Sequence, residues 1–164
     1  PTIGTYQPFF QQTTEGEWTA ETSGGCLNNG RTWRDNPQIR CKALVDTRLM
    51  FVLNLPNAES DVKHSIGFYI TEAPEDDRKT FSLTDKILKK APFRKSFEAY
   101  CPFKVEAGKS YNIIPCTFHA GIESKFTFSI FSNQTDAAVL SPVVQHPKLC
   151  VSVSIMLLLF KHLT

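Results

Sequence analysis

Short runs of alternating apolar and polar residues, separated by turn-forming residues, recur along most of this chain. Ile39, Cys41 and Ala43 alternate with Gln38, Arg40 and Lys42, which gives a strand one apolar and one polar face. Ile66, Phe68 and Ile70 share a face of residues 62–71, and Phe126, Phe128 and Ile130 share a face of residues 125–131. Residues 48–55 are more continuously apolar, as suits a central strand covered on both sides. Residues 16–21, 97–106 and 110–115 complete the set. Strands this short and this numerous predict an all-β fold, an antiparallel β-sandwich.

Three regions break the pattern. Residues 72–80 form an acidic turn, with Glu72, Glu75, Asp76 and Asp77 followed by Arg78 and Lys79. Leu83, Ile87 and Leu88 lie at helical spacing among Lys86, Lys89 and Lys90, so residues 83–95 are expected to hold a short basic helix ending before Pro92. Residues 1–14 read as a linker, 15–133 as the sandwich and 134–164 as a C-terminal tail. Residues 149–160 in that tail are apolar or small, but a bilayer span takes roughly 20 such residues, so no transmembrane segment is expected. Val151, Val153 and Ile155 alternate with serines there. A packed tail, a membrane-dipping tail and an alternative chain terminus stay open, with a tail outside the sandwich preferred.

Composition narrows the function classes. At 164 residues, 41% apolar and 21% charged, the chain can bury a real core as one domain. A net charge of +2 is too small to imply nucleic-acid binding, so local clusters must carry any electrostatic argument. Residues 1–10 lack the basic and apolar parts of a signal peptide. Cys26, Cys41, Cys101, Cys116 and Cys150 are odd in number and form no CxxC pair, which leaves a zinc ribbon without ligand spacing. Reduced, mostly buried thiols in a cytoplasmic protein are the expectation.

Four ordered motifs span more of the chain than any single feature. They are Gly16-Glu17-Trp18 with Gly24-Gly25-Cys26; Asn36-Pro37-Gln38; Ser65-Ile66-Gly67-Phe68; and Tyr111 to Phe118, with Pro115 and Thr117 inside it, followed by Glu123, Phe126 and Phe131. The chain resembles the C2-like domain of calpains, domain III, over roughly residues 15–133. The resemblance implies a C2-like sandwich in which Trp18, Gly24, Gly25, Cys26, Asn36, Pro37, Gly67, Phe68, Pro115, Thr117 and Phe118 are structural signature positions. It also implies a non-catalytic regulatory or targeting module of a calpain-type cysteine protease. Its partners would be the protease core or a neighbouring C2-like domain. With no calcium-binding EF-hand loop in the sequence and a linker before Gly16, the arrangement is most similar to the distal C2-like domain of PalB-like calpains. The basic stretch at 83–95 and the tail after Pro142 depart from the family pattern. A standalone C2-like membrane- or protein-binding domain is the alternative.

Three chemistries are weighed beside this. Thiol catalysis needs a stabilised thiolate, a base and a residue orienting the base. None of the five cysteines precedes Trp and Asn36 precedes Pro37-Gln38, so the family's catalytic pattern is not expected here; His64 and His119 are read as exposed or hydrogen-bonded. Calcium needs about six to eight oxygens. Glu72, Glu75, Asp76 and Asp77 with Glu59 and Asp61 are the candidate ligands, against a solvated acidic turn neutralised by Arg78 and Lys79, which is the preferred reading. Anionic phospholipid is the rival ligand, with Lys86, Lys89, Lys90, Arg94 and Lys95 as candidate contacts and Phe93 and Ile87 near enough to insert; the bland counterpart is a solvated face.

Overall fold

The computed structural model describes residues 10–56, 64–75, 79–80 and 87–143. Among them ten strands follow in chain order: β1 (Phe10–Trp18), β2 (Ile39–Ala43), β3 (Thr47–Asn54), β4 (Ser65–Glu72), β5 (Ile87–Lys90), β6 (Arg94–Lys95), β7 (Glu98–Val105), β8 (Ser110–Thr117), β9 (Ser124–Ser132) and β10 (Ala138–Pro142). One sheet has the order β1-β9-β3-β7; the other runs β10-β2-β8-β4-β5, with β6 also paired to β4. Every pairing is antiparallel. This is the expected sandwich.

The alternating residues meet between the sheets. Leu49, Phe51 and Leu53 of β3 and Ile66, Phe68 and Ile70 of β4 are fully buried there with Phe126, Phe128 and Ile130 of β9. Phe68 stands edge-on to Phe128 at 5.3 Å between ring centroids, which ties the two sheets together. Trp18 packs at 4.5 Å on Phe126 and donates its indole N–H to the Pro115 carbonyl at 3.1 Å.

Three segments differ from the sequence reading. β1 starts at Phe10, inside the expected linker. Its sequence, FQQTTEGEW, has little apolar alternation, yet it pairs residue for residue with β9 and adds a Thr13–Ser129 hydroxyl contact of 2.8 Å. Gly16 is required there, because a Cβ would collide with the Phe126 ring. β10 lies beyond residue 133: it pairs with β2, buries Ala138 and Leu140, and its Leu140 N–H donates to the Gln12 side chain at 2.9 Å.

The third difference concerns the expected helix. Residues 87–90 are a strand on the free edge of β4, in the register Tyr69↔Lys90 and Ile70↔Lys89, with a bulge at Ile70/Thr71. Three apolar residues at helical spacing are a weak signal against an open ladder that offers a partner to each backbone group. Residues 83–86 lie outside the described residues, as do residues 149–160 of the tail.

At the far edge of the other sheet, Leu55 donates its N–H to the Phe97 carbonyl at 2.8 Å. The two-residue alternation of an antiparallel ladder then turns the backbone groups of Glu98, Tyr100, Pro102 and Lys104 away from β3, toward the open side of β7. Proline has no N–H to present at that edge.

Candidate functional site

The outer face of the six-stranded sheet gathers most of the signature residues. Residues 19–38 leave β1, cross this face and return as β2. Gly24 packs so tightly that a Cβ would strike the Thr32 carbonyl oxygen, and Gly25 adopts a φ of 74°, which favours glycine. Asn36 is wholly buried and donates its amide to the carbonyls of Gly25 at 2.7 Å and Trp33 at 2.9 Å, closing the loop around a 3-10 turn at Thr32–Asp35. Pro37 follows and leads into β2. The Cys26 N–H reaches the Phe118 carbonyl at 3.2 Å.

Beneath this loop Cys26, Trp33, Tyr69, Ile114 and Cys116 form a second apolar cluster, with Leu27 and Phe93 against it. Phe93 links Tyr69 at 5.9 Å to Phe118 at 5.6 Å. Gly67 leaves room for Phe93: a Cβ there would sit 3.1 Å from the ring and from the Ala91 carbonyl. Thr117 is buried and donates its hydroxyl to the His119 carbonyl at 2.7 Å, while the His119 ring stacks edge-on to Phe118.

The candidate lipid contacts border this cluster. Lys89 and Lys90 of β5 and Arg94 and Lys95 of β6 are all on the sheet edge next to β4, and all four are exposed. The Lys90 ammonium lies 5.4 Å from the Phe93 ring centre and 5.8 Å from that of Tyr69, inside the range of a cation–π contact. Lys89, Lys90 and Arg94 also line a groove of about 310 Å³ whose other wall is Glu98, Tyr100 and Pro102 of β7. Lys86 lies outside the described residues.

The acidic candidates are less complete. Glu72 ends β4 exposed and Glu75 follows in the turn, whereas Glu59, Asp61, Asp76 and Asp77 lie outside the described residues. Among the described residues no three acidic, cysteine or histidine side chains gather as a metal cluster. Lys79 turns inward, 6% exposed, and gives a hydrogen bond to the Asn36 carbonyl at 2.9 Å. Burial lowers its pKa, with Asp35 opposing that shift. Lys79 therefore serves the loop fold, whereas the sequence reading set it against the acidic turn.

Lys79 belongs to a buried polar network that sequence reasoning missed. Gln38 and Thr80 exchange two hydrogen bonds, Gln38 Nε2 to the Thr80 carbonyl at 2.9 Å and Thr80 N–H to Gln38 Oε1 at 2.8 Å. Asn112 donates to the Thr80 hydroxyl at 3.2 Å, and the Thr71 hydroxyl lies 3.1 Å from it. The available signal was Asn112 alone among the apolar residues of β8.

The described thiols are buried. Burial pushes Cys41 up to about 12, raises Cys116 well above the usual thiol range, and raises Cys101 against the opposing pull of Lys89. These three are held as neutral core groups, opposite to what a nucleophilic thiolate needs.

The family described as "Calpain large subunit, domain III" matches residues 14–131. The chain belongs to the calpain domain III family. It is 36% identical over 135 residues to a Dictyostelium discoideum protein named serine/threonine-protein kinase 4 homolog B, covering 79% of this chain and 12% of that protein. It is 27% identical over 131 residues to the putative calpain-like cysteine protease A of the same organism, covering 80% and 19%. With a calpain of Schistosoma mansoni it shares 30% over 133 residues, covering 71% and 17%. The calpain domain III chain thus spans less than a fifth of each of these relatives. Calpain domain III is a non-catalytic domain, and the sandwich described here is that domain.

Proposed function

We propose that this calpain domain III is a targeting module of a longer, calpain-type cysteine protease, and that it holds its parent at anionic phospholipid surfaces in the cytoplasm through the β5–β6 edge. The observation that carries the reading is the grouping of Lys89, Lys90, Arg94 and Lys95 on one sheet edge beside the Phe93–Tyr69–Phe118 aromatics. Each cation near a charged leaflet contributes about 1 kcal/mol, so four supply about 4 kcal/mol. Attachment is then weak and reversible, as suits a module working alongside a protease core or a neighbouring C2-like domain. The attraction comes from the chain's own cations, so binding needs no calcium.

Sedimentation with vesicles tests this. The chain binds vesicles of phosphatidylcholine with about a third phosphatidylserine, ignores phosphatidylcholine alone, and releases as salt rises. K89E/K90E/R94E abolishes the binding, and a calcium chelator leaves the parent interaction unchanged. A wild-type chain that ignores anionic vesicles, or a triple variant that binds them equally, ends the lipid reading.

A second reading rests on the 36% identity to a protein named as a kinase, higher than to the two calpain-named relatives above. In it the same module serves a kinase polypeptide. Sequencing the transcript on either side of residues 1–164 separates the two parents.

A further inference from the structure

The outer face of the four-stranded sheet meets the basic groove only along β7, where Glu98, Tyr100 and Pro102 form its far wall, and its charged residues are unevenly distributed. At its centre Met50 lies between Pro102 of β7 and Phe131 of β9, and Val52 lies beside Tyr100. Met50 is 37% and Tyr100 53% exposed, large apolar surface at the middle of a sheet face. Arg48, Met50, Val52, Pro102 and Phe131 line a groove of about 620 Å³. At one end Arg48 sits opposite Lys104; at the other Asn54 sits opposite Glu98, with Glu15 and Glu17 of β1 and Lys125 of β9 on the same side. The two ends are six residues apart along β3, about 20 Å at strand rise. The strip therefore runs from a basic end through an apolar centre to an end where three carboxylates outnumber one lysine.

We propose that this face binds a second copy of the same chain. A two-fold axis lying in the plane of the face and across the strands reverses the strand direction. It sets the Arg48–Lys104 end of each copy on the Glu98 end of the other, and it superposes the two apolar centres. A partner of uniform charge would satisfy only one end, so the polarity of the strip selects its own reversed copy. Such a contact is isologous, with each ion pair made twice. Four strands about 4.8 Å apart and about 27 Å long give a face near 500 Å² per copy. That places the dimer at the small end of specific interfaces, with micromolar association.

Sedimentation equilibrium of the 164-residue chain from about 1 to 200 μM reads the result. A monomer–dimer equilibrium in the micromolar range is expected, weakened by salt. R48E/K104E, and separately E98R, lower the association constant at least about tenfold by setting like charges together. The combined variant R48E/K104E/E98R returns it to near the wild-type value, because both symmetry-related pairs are reversed at once. All three positions are exposed, so the thermal melt stays at the wild-type temperature and separates lost association from lost folding. A chain monomeric throughout the range, or a combined variant no better than its components, overturns the proposal. So does a monomeric chain whose parent polypeptide protects residues 48–54 and 98–104 from hydrogen exchange, which assigns the face to a neighbouring domain.

Discussion

Trp18 has no exposed surface, and its two contacts act on different parts of the fold: the ring fills space against Phe126 of β9, and the indole N–H satisfies the Pro115 carbonyl of β8. Trp18→Ala empties that space and leaves a buried carbonyl unpaired, so a loss of about 3–5 kcal/mol is expected in urea unfolding. A loss below about 1 kcal/mol would place Trp18 outside the core. Cys41 gives a pH signature. Its thiol titrates near 9.0 when free and is pushed up to about 12 in the fold. The stabilisation is complete below pH 9 and falls as pH rises from there toward 12, because the unfolded thiol ionises first. Between pH 8 and 10.5 that fall is about 2 kcal/mol, and Cys41→Ala removes this part of the alkaline limb in denaturant titrations. At this scale the sequence was legible where a residue is large and apolar or must be glycine. Gln38, Lys79 and Asn112 were not, because their burial depends on partners 32 to 74 positions away.

Elements with a clear two-residue alternation, β2, β4 and β9, were readable because the period alone separates a core face from an outer one. β5 and β10 were not, and β1 was read only at its last residues, Gly16 to Trp18. They lie at or beside sheet edges, and the ladder of a neighbour, more than their own pattern, draws them into the sheet. Residues 87–90 show the competition directly: their apolar spacing fits one helical turn, but β4 offers an unfilled edge. β10 yields the sharpest test. A chain ending at residue 133 lacks the strand that covers β2 and buries Leu140 beside Cys41. Its thermal midpoint is expected to fall by at least several degrees, corresponding to a loss of about 2 kcal/mol or more, as scanning calorimetry would read.

Across the whole molecule, most of the signature residues fall into one arrangement, the loop of residues 19–38 folded over the outer face of the six-stranded sheet, while Trp18 and Phe68 fill the core between the sheets. Their order in sequence announced the family, but their joint role in seating that loop shows only once Gly24, Asn36 and Phe118 are seen to meet through hydrogen bonds and close packing. The basic candidates Lys89, Lys90, Arg94 and Lys95 were found from composition alone, since charge density survives an error in secondary structure. The aromatic neighbours Tyr69 and Phe118 come from β4 and β8, and only the fold brings them beside Phe93. The blunted outer rim of β7 has a further consequence. Pro102 interrupts the row of donors that a stray strand would use to zip on, so the rim resists edge-to-edge growth into fibrils.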